Sequence, residues 1–223
     1  MPYTVFDTPI VVHFFRLLSR IVFFLLGWKV EGRAPSSDKA VMIAVPHTSN
    51  WDFIFMVMVS FQVHQKIYWM GKDTLFKGWK GSVLRWFGGV PVNRRSRNNL
   101  VDQMIETINQ SSSLILTIPP EGTRGHVTHW KSGFYHIAAG ANVPIVCSFL
   151  DYGRKVGGVG LALMPTGDID KDLEVIKSFY KGMTGKCPEY FSIDYIRTKE
   201  SEDGKAEPVS ESEAGSSEVA DKN

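Results

Sequence analysis

The sequence predicts an α/β fold, with a mixed or mostly parallel sheet flanked by helices and an N-terminal amphipathic membrane helix. Short apolar runs typical of buried strands alternate along the chain with longer patterns typical of helices. The 223 residues suffice for one such domain with a core of its own. Hydrophobic residues make up 43% of the chain, which is apolar for a soluble enzyme but below the level of a multi-span membrane protein.

The first element is an almost wholly apolar stretch at residues 10–28, with no small-residue cleavage site after it. As a helix it would reach about 28 Å, close to the bilayer's hydrocarbon thickness of about 30 Å, so its length does not decide whether it spans. Its polar positions lie along one narrow stripe: His13, Arg16, Arg20 and Gly27.

Two arginines held near mid-span would together cost about 5 to 7 kcal/mol. We therefore predict a monotopic helix in the membrane plane, whose arginines face lipid phosphates. Its immersed side chains are predicted to be Phe14, Leu17, Leu18, Phe23, Phe24 and Leu25. A helix packed on the protein's own core and a tilted span are the alternatives.

The middle of the chain supplies the alternation. Residues 40–45 form a short apolar run that ends at Pro46, as expected of a buried strand, and residues 53–63 are long enough for a buried helix. Further strands are predicted at 67–70, 114–118, 144–149 and 160–164, and further helices at 79–87, 98–109, 132–141 and 170–180. Gly157, Gly158 and Gly160 lack the spacing of a dinucleotide-binding loop and are predicted to form a turn.

The chain divides into three parts: an N-terminal anchoring segment at 1–32, a main domain at 33–198 and an acidic tail at 199–223. The tail contains no aromatic residue and is predicted to be disordered. It carries a net charge of −5, which leaves +7 on residues 1–198. A basic body favours an anionic partner, either a phospholipid surface, a phosphate-bearing substrate or nucleic acid. The two cysteines, Cys147 and Cys187, indicate a reducing compartment without a disulfide framework.

His47 and Asp52 are candidates for proton transfer. A turn that enters a helix can bring the carboxylate to one imidazole nitrogen, which leaves the other nitrogen free to take a proton from a hydroxyl group. A helix-capping aspartate beside an uninvolved histidine would have the same spacing.

Two further motifs surround this pair. The segment PEGTR follows a predicted strand directly, so Glu121, Gly122, Thr123 and Arg124 would reach the edge of the sheet where that strand ends. Arg124 suits a phosphate group because its planar fork donates two hydrogen bonds. The segment GGVPVNR ends in Arg94, which is also predicted to bind phosphate. For both motifs, an exposed basic surface is the simpler alternative.

The segments PHTSNWD, GGVPVNR, PPEGTR and VPIV, in this order, resemble the four motif blocks of the glycerolipid acyltransferase family, which includes the 1-acylglycerol-3-phosphate acyltransferases. The resemblance covers roughly residues 40–150 and implies a glycerol-phosphate acyltransferase-like fold for the main domain. It implies that His47 of the HX4D motif is the general base, with Asp52 as its partner. It also implies that Arg94, Glu121, Gly122, Thr123 and Arg124 bind the acceptor.

Members of this family transfer an acyl group from coenzyme A or acyl carrier protein to a lysophospholipid, typically to give phosphatidic acid. The resemblance thus implies a membrane-associated enzyme of phospholipid biosynthesis, peripheral or monotopic on the cytoplasmic face, that needs no metal, cofactor or nucleic acid. The chain departs from the family pattern at Pro46, Asn93 and Cys147. These departures spare the proton-transfer groups and bear on the identity of the acceptor.

Two other functions compete with acyl transfer. In a lipid thioesterase or lysophospholipase, the same histidine and aspartate would activate water, but water needs no phosphate anchor at Arg94 and Arg124. A nucleic-acid-binding module would suit the basic body, yet it would leave the PEGTR segment and the apolar N-terminus without a role.

Overall fold

The computed structural model describes residues 3–92 and 97–197, without the side chains of 97–99. Within this part, seven strands form one sheet: β1 Lys29–Gly32, β2 Lys39–Val45, β3 Tyr68–Lys72, β4 Gly89–Val92, β5 Leu114–Ile118, β6 Ile145–Asp151 and β7 Val156–Leu163. Six α-helices accompany it: α1 Pro9–Leu26, α2 Trp51–Gln62, α3 Gly78–Trp86, α4 Arg97–Gln110, α5 Gly133–Gly140 and α6 Ile169–Tyr180. Four 3-10 helices complete this part of the chain: Val5–Asp7, Asp73–Phe76, Pro188–Tyr190 and Ile193–Tyr195.

The sheet is mixed, with the strand order β1-β7-β6-β2-β5-β3-β4. The five strands from β6 to β4 run parallel, whereas β7 runs antiparallel to β6 and β1 runs parallel to β7. β2 lies between β5 and β6, so the carboxyl ends of these three strands meet at one edge of the sheet. In open α/β sheets, such an edge is the usual place for a binding site.

The two faces of the sheet can be followed along β2, because neighbouring side chains of a strand point to opposite faces. Val41, Ile43 and Val45 belong to a large core cluster with side chains of α4, α5 and α6, and we call this the helix-rich face. Ala40 and Met42 belong to a smaller cluster with Met56 of α2, and we call this the α2 face.

The predicted fold class is confirmed, and each predicted strand and helix of the main domain has a counterpart in the structure. Two four-residue strands, β1 and β4, were not predicted. β1 pairs with β7, so the sheet already begins at Lys29, within the predicted N-terminal segment. The predicted acidic tail at 199–223 lies outside the described residues.

The prediction of a turn at the three glycines is wrong, since Gly157, Gly158 and Gly160 lie in β7. Side chains there would meet close neighbours: a Cβ on Gly158 would lie 2.1 Å from the carbonyl oxygen of Glu31, and one on Gly160 would lie 2.5 Å from the ring of Phe179. Glycine at these positions therefore allows close packing within the sheet rather than a change in chain direction.

One face of α1 packs on α2. The ring of Phe15 stacks on that of Phe61 with centroids 5.3 Å apart, and the ring of Phe23 lies 5.4 Å from that of Phe55. The prediction that Phe23 is immersed in lipid is therefore wrong, because its side chain is only 1% exposed. Arg16 also differs from the prediction, since its Nε donates to the carbonyl oxygen of Phe61 at 3.2 Å.

The opposite face of α1 is exposed and apolar. We call it the apolar stripe, and it consists of Ile10, Phe14, Leu17, Leu18, Ile21, Phe24 and Leu25. Phe24 is 82% exposed. The helix is long and apolar enough to cross a membrane, and only 11% of it is buried inside the protein. α1 thus combines the packed helix of one alternative with a lipid-compatible surface, which indicates membrane association.

Candidate active site

The candidate site lies where β2, β5 and β6 end. His47 follows β2, the segment from Glu121 to Arg124 follows β5, and Tyr152 follows β6 directly. The Val45–Pro46 peptide bond before His47 is cis. Because the three strands are parallel neighbours, residues far apart in sequence are delivered to the same edge.

His47 and Asp52 face each other across the turn between β2 and α2. Nδ1 of His47 lies 3.7 Å from Oδ2 of Asp52, which is in the first turn of α2. The same Oδ2 accepts hydrogen bonds from the backbone N–H groups of Thr48 and Ser49, both at 2.7 Å. These two bonds aim the carboxylate at the imidazole, which favours a neutral His47 with its proton on Nδ1 and its lone pair on Nε2.

Glu121 lies behind His47. Its side chain is buried, and its Oε1 accepts a hydrogen bond from the backbone N–H of His47 at 3.0 Å. Among the described residues, its buried Oε2 has no hydrogen-bond partner. Glu121 therefore differs from the prediction that it lines the acceptor pocket, because its carboxyl group turns inward to hold the backbone of His47.

Burial shifts the pKa values of these groups. It lowers the pKa of His47 to about 4, with a further contribution from the guanidinium group of Arg124. Burial raises the pKa of Asp52, against the lowering effect of its hydrogen bonds from Tyr152, Ser49 and Thr48. Burial also raises the pKa of Glu121 to about 8, and the charge of Asp52 contributes in the same direction. A neutral His47 at neutral pH can accept a proton.

A cavity of about 610 Å³ opens beside His47. Gly122, Thr123 and Arg124 line it together with His47 and Asp52, and Gly122 has a left-handed φ of 69°. The cavity continues between α2 and the α2 face of the sheet. Its mainly apolar walls there include Met42, Ala44, Phe53, Met56, Val59, Val63, Ile67 and Val159. Such a volume is typical of a site for a small molecule or a lipid chain.

The structure thus brings together five of the seven predicted site residues around one cavity, namely His47, Asp52, Gly122, Thr123 and Arg124. Glu121 lies behind the cavity wall, and Arg94 lies outside the described residues.

Two contacts at the site were not predicted. The hydroxyl of Tyr152 donates to Oδ1 of Asp52 at 2.7 Å. The backbone N–H of Cys187 donates to Oγ1 of Thr48 at 3.1 Å, which ties a late loop to the turn after His47. The end of the strand predicted at 144–149 was the available signal for Tyr152, since polar residues just beyond parallel strands gather at one edge.

Three comparisons with known proteins agree with this geometry. The sequence model of the family described as Acyltransferase matches residues 28–150. A 1-acyl-sn-glycerol-3-phosphate acyltransferase of Haemophilus influenzae is 32% identical over 132 residues, which cover 55% of this chain and 53% of the relative. The chain thus matches about half the length of that curated relative.

The crystal structure of the 1-acyl-sn-glycerophosphate acyltransferase PlsC from Thermotoga maritima superimposes with a TM-score of 0.54 over 77% of each chain, at 17% identity. At this level of identity the likeness concerns the fold alone. It agrees with the mixed sheet flanked by helices described above.

Proposed function

The chain belongs to the acyltransferase family, and on that premise we propose that it transfers a fatty acyl group from an acyl thioester to the free hydroxyl of a lysophospholipid. The proposed donors are acyl coenzyme A and acyl carrier protein. The proposed acceptor is 1-acylglycerol-3-phosphate, with phosphatidic acid as the product. The name of the Haemophilus influenzae relative supports this choice of acceptor.

One observation carries the proposal. His47, oriented by Asp52 at 3.7 Å, and Arg124 line the same cavity. A base for a hydroxyl group and a cation for a phosphate group therefore meet at one opening. Behind them, the apolar part of the cavity offers room for an acyl chain.

The proposed reaction is a direct transfer. Nε2 of His47 takes the proton of the acceptor hydroxyl while the hydroxyl oxygen attacks the carbonyl carbon of the thioester. The imidazolium that forms is stabilised by Asp52. The carbon–sulfur bond then breaks, and the departing thiolate takes the proton back from His47. An ester and a free thiol result, and the base returns to its neutral state.

The test is to incubate the purified full-length chain with acyl coenzyme A and lysophosphatidic acid, and to follow free thiol together with lipid product. We expect thiol and phosphatidic acid to appear in equal amounts, and neither without acceptor. Thiol release that does not depend on the acceptor would identify a thioesterase instead.

We further propose that the enzyme lies on the cytoplasmic face of the membrane as a peripheral or monotopic protein, and the apolar stripe of α1 supports its attachment to the membrane. Its exposed side chains would enter the acyl region, and Arg20, exposed on the flank of the helix, would face lipid phosphates. A lysophospholipid could then reach the cavity without leaving the bilayer surface.

Substitutions on the stripe test this placement better than removal of α1, because removal would also uncover Phe55 and Phe61. The double variant Phe24→Ser and Leu25→Ser should lose most of its co-sedimentation with phosphatidylglycerol vesicles. Val175→Ser is the control, since Val175 is a similarly exposed apolar residue, at 46%, on α6 beside the helix-rich face. Equal sedimentation of both variants would rule out the stripe as the anchor.

A further inference from the structure

Tyr152 is the residue that follows β6, and it lies just beyond the part of the chain that matches the family, residues 28–150. Its hydroxyl donates to Oδ1 of Asp52 at 2.7 Å. The other carboxylate oxygen, Oδ2, faces His47 and is held by two backbone N–H groups. Both oxygens of Asp52 are therefore fixed, one by its own turn and one by a residue 100 positions away.

The tyrosine is itself held from several sides. The ring of Trp28 lies edge-on to it at 4.9 Å, and the ring of Phe55 lies 5.9 Å away. The backbone N–H of Tyr152 donates to the carbonyl oxygen of Thr184 at 3.0 Å. A hydroxyl on a ring packed in this way is a preorganised donor, because little rotational freedom remains to be lost.

We propose that Tyr152 is a positioning residue for the transfer reaction, which holds Asp52 in the orientation that keeps Oδ2 directed at Nδ1 of His47. The inference rests on the function proposed above. Tyr152 is not among the residues that line the cavity, so within the described structure it acts through Asp52 rather than through substrate. Without its hydroxyl, rotation of the carboxylate is opposed only by the two bonds to Oδ2, and the imidazole loses its fixed partner.

The chain contains a matched pair for the test. Tyr135 on α5 also donates its hydroxyl to a buried carboxylate, Oδ2 of Asp172 on α6, at 2.8 Å. That pair lies on the helix-rich face, where Tyr135 belongs to the core cluster. Phenylalanine at either position keeps the ring and removes the hydrogen bond to the carboxylate. At position 135 it also removes the acceptor of a second bond, from the backbone N–H of Gly167 at 3.1 Å, so the control is not the milder change and a loss of kcat from Tyr152→Phe alone cannot be attributed to a greater disruption than the control's.

We expect Tyr152→Phe to lower kcat about tenfold, as for the loss of one hydrogen bond to a charged group, while KM for donor and acceptor changes less than about twofold. Tyr135→Phe should leave kcat unchanged and lower Tm. In an Asp52→Ala background, Tyr152→Phe should have almost no further effect, because its partner is gone. A tenfold effect that persists without Asp52 would overturn the proposal.

Nitrogen-15 shifts of His47 at neutral pH give a measurement independent of activity. The fraction of the Nδ1–H tautomer should fall in Tyr152→Phe and stay constant in Tyr135→Phe. If the wild-type chain is inactive but Tyr152→Phe still shows this tautomer change, the proposed reaction is refuted and the positioning role stands. An active wild-type chain whose kcat and tautomer are both unchanged by Tyr152→Phe would refute the positioning role alone.

Discussion

The two faces of the sheet are filled in different ways. On the helix-rich face, large side chains such as Trp130, Phe134 and Tyr180 are almost completely buried in one continuous cluster. On the α2 face near the candidate site, the strands present smaller residues to the cavity, and these are Ala44, Thr117 and Ser148. Ala44 and Ser148 are partners in neighbouring strands.

The difference indicates that one face of the sheet mainly stabilises the fold and the other mainly forms the candidate active site. Dispersion and burial of large apolar side chains stabilise the helix-rich face. The α2 face gives up part of that packing and gains space beside His47. Substitutions on the two faces should therefore have opposite signatures, one in turnover and the other in stability.

The largest contrast is expected between His47→Ala and Ile137→Ala. His47→Ala should lower kcat at least about a hundredfold, the low end for loss of a general base, with little change in stability. Ile137 is 2% exposed on the helix-rich face. Its replacement by alanine should lower the free energy of unfolding by about 2 to 5 kcal/mol and leave kcat nearly unchanged below Tm. Steady-state kinetics and urea unfolding of both variants measure this. Full turnover in His47→Ala would remove it from the mechanism.

Arg124→Ala sharpens the assignment within the cavity. We expect KM for a phosphate-bearing acceptor to rise about tenfold or more, while KM for acyl coenzyme A and for monoacylglycerol stays nearly constant. The variant should also raise the pKa of His47, because a neighbouring positive charge is removed, and so move the acid limb of kcat/KM to higher pH. Arg124→Lys should keep that limb in place, since it keeps the charge. Equal losses with both acceptors would exclude a phosphate anchor.

Val63→Trp would fill the far end of the cavity. Val63 follows α2, and the twelve residues from Trp51 place it about 18 Å along the helix axis from the site. Transfer of long acyl chains should fall severalfold relative to short chains, and retained short-chain transfer would show that the variant is folded. Val175→Trp on α6 is the control. An unchanged chain preference would mean that the acyl chain lies elsewhere.

The strands and helices were predictable where the sequence shows a continuous apolar run or a helical apolar pattern. β5 was predicted with its observed bounds, and α2 within two residues. β1 is mostly polar and β4 is interrupted by Pro91, so neither shows such a run, and β1 forms part of the sheet through its pairing with β7. The turn predicted at the glycines of β7 was wrong because glycine is needed there for the close approach of β1 and α6, which a local pattern does not show.

The site shows the same limit. His47 and Asp52 are near in sequence, so their spacing after a strand end suggested the pair, and the resemblance to the acyltransferase motif blocks favoured it over a helix-capping aspartate. The inward turn of Glu121 and the contact of Tyr152 depend on partners 74 and 100 positions away. Local patterns do not encode which of several carboxyl groups faces the substrate and which faces the backbone.

The smallest expected effect concerns Glu121, whose buried carboxyl group contacts the backbone of the proposed catalytic residue His47. Its pKa is raised by burial to about 8, from an ordinary value of 4.5 that the unfolded chain should approach. Between these values the unfolded state binds fewer protons than the folded state, so this group lowers the free energy of unfolding as pH rises from about 5 to 8. Glu121→Gln removes the titration and keeps the shape of the side chain.

Urea unfolding of both proteins at pH 5, 6.5 and 8 measures the difference. We expect the wild type to lose at least about 1 kcal/mol relative to Glu121→Gln over this range. The lowered pKa of His47 acts in the opposite direction below pH 6.5, but it is common to both proteins and cancels to first order. Parallel curves would mean that Glu121 is already ionised in the folded protein, and its bare Oε2 would then need a partner that burial alone does not supply.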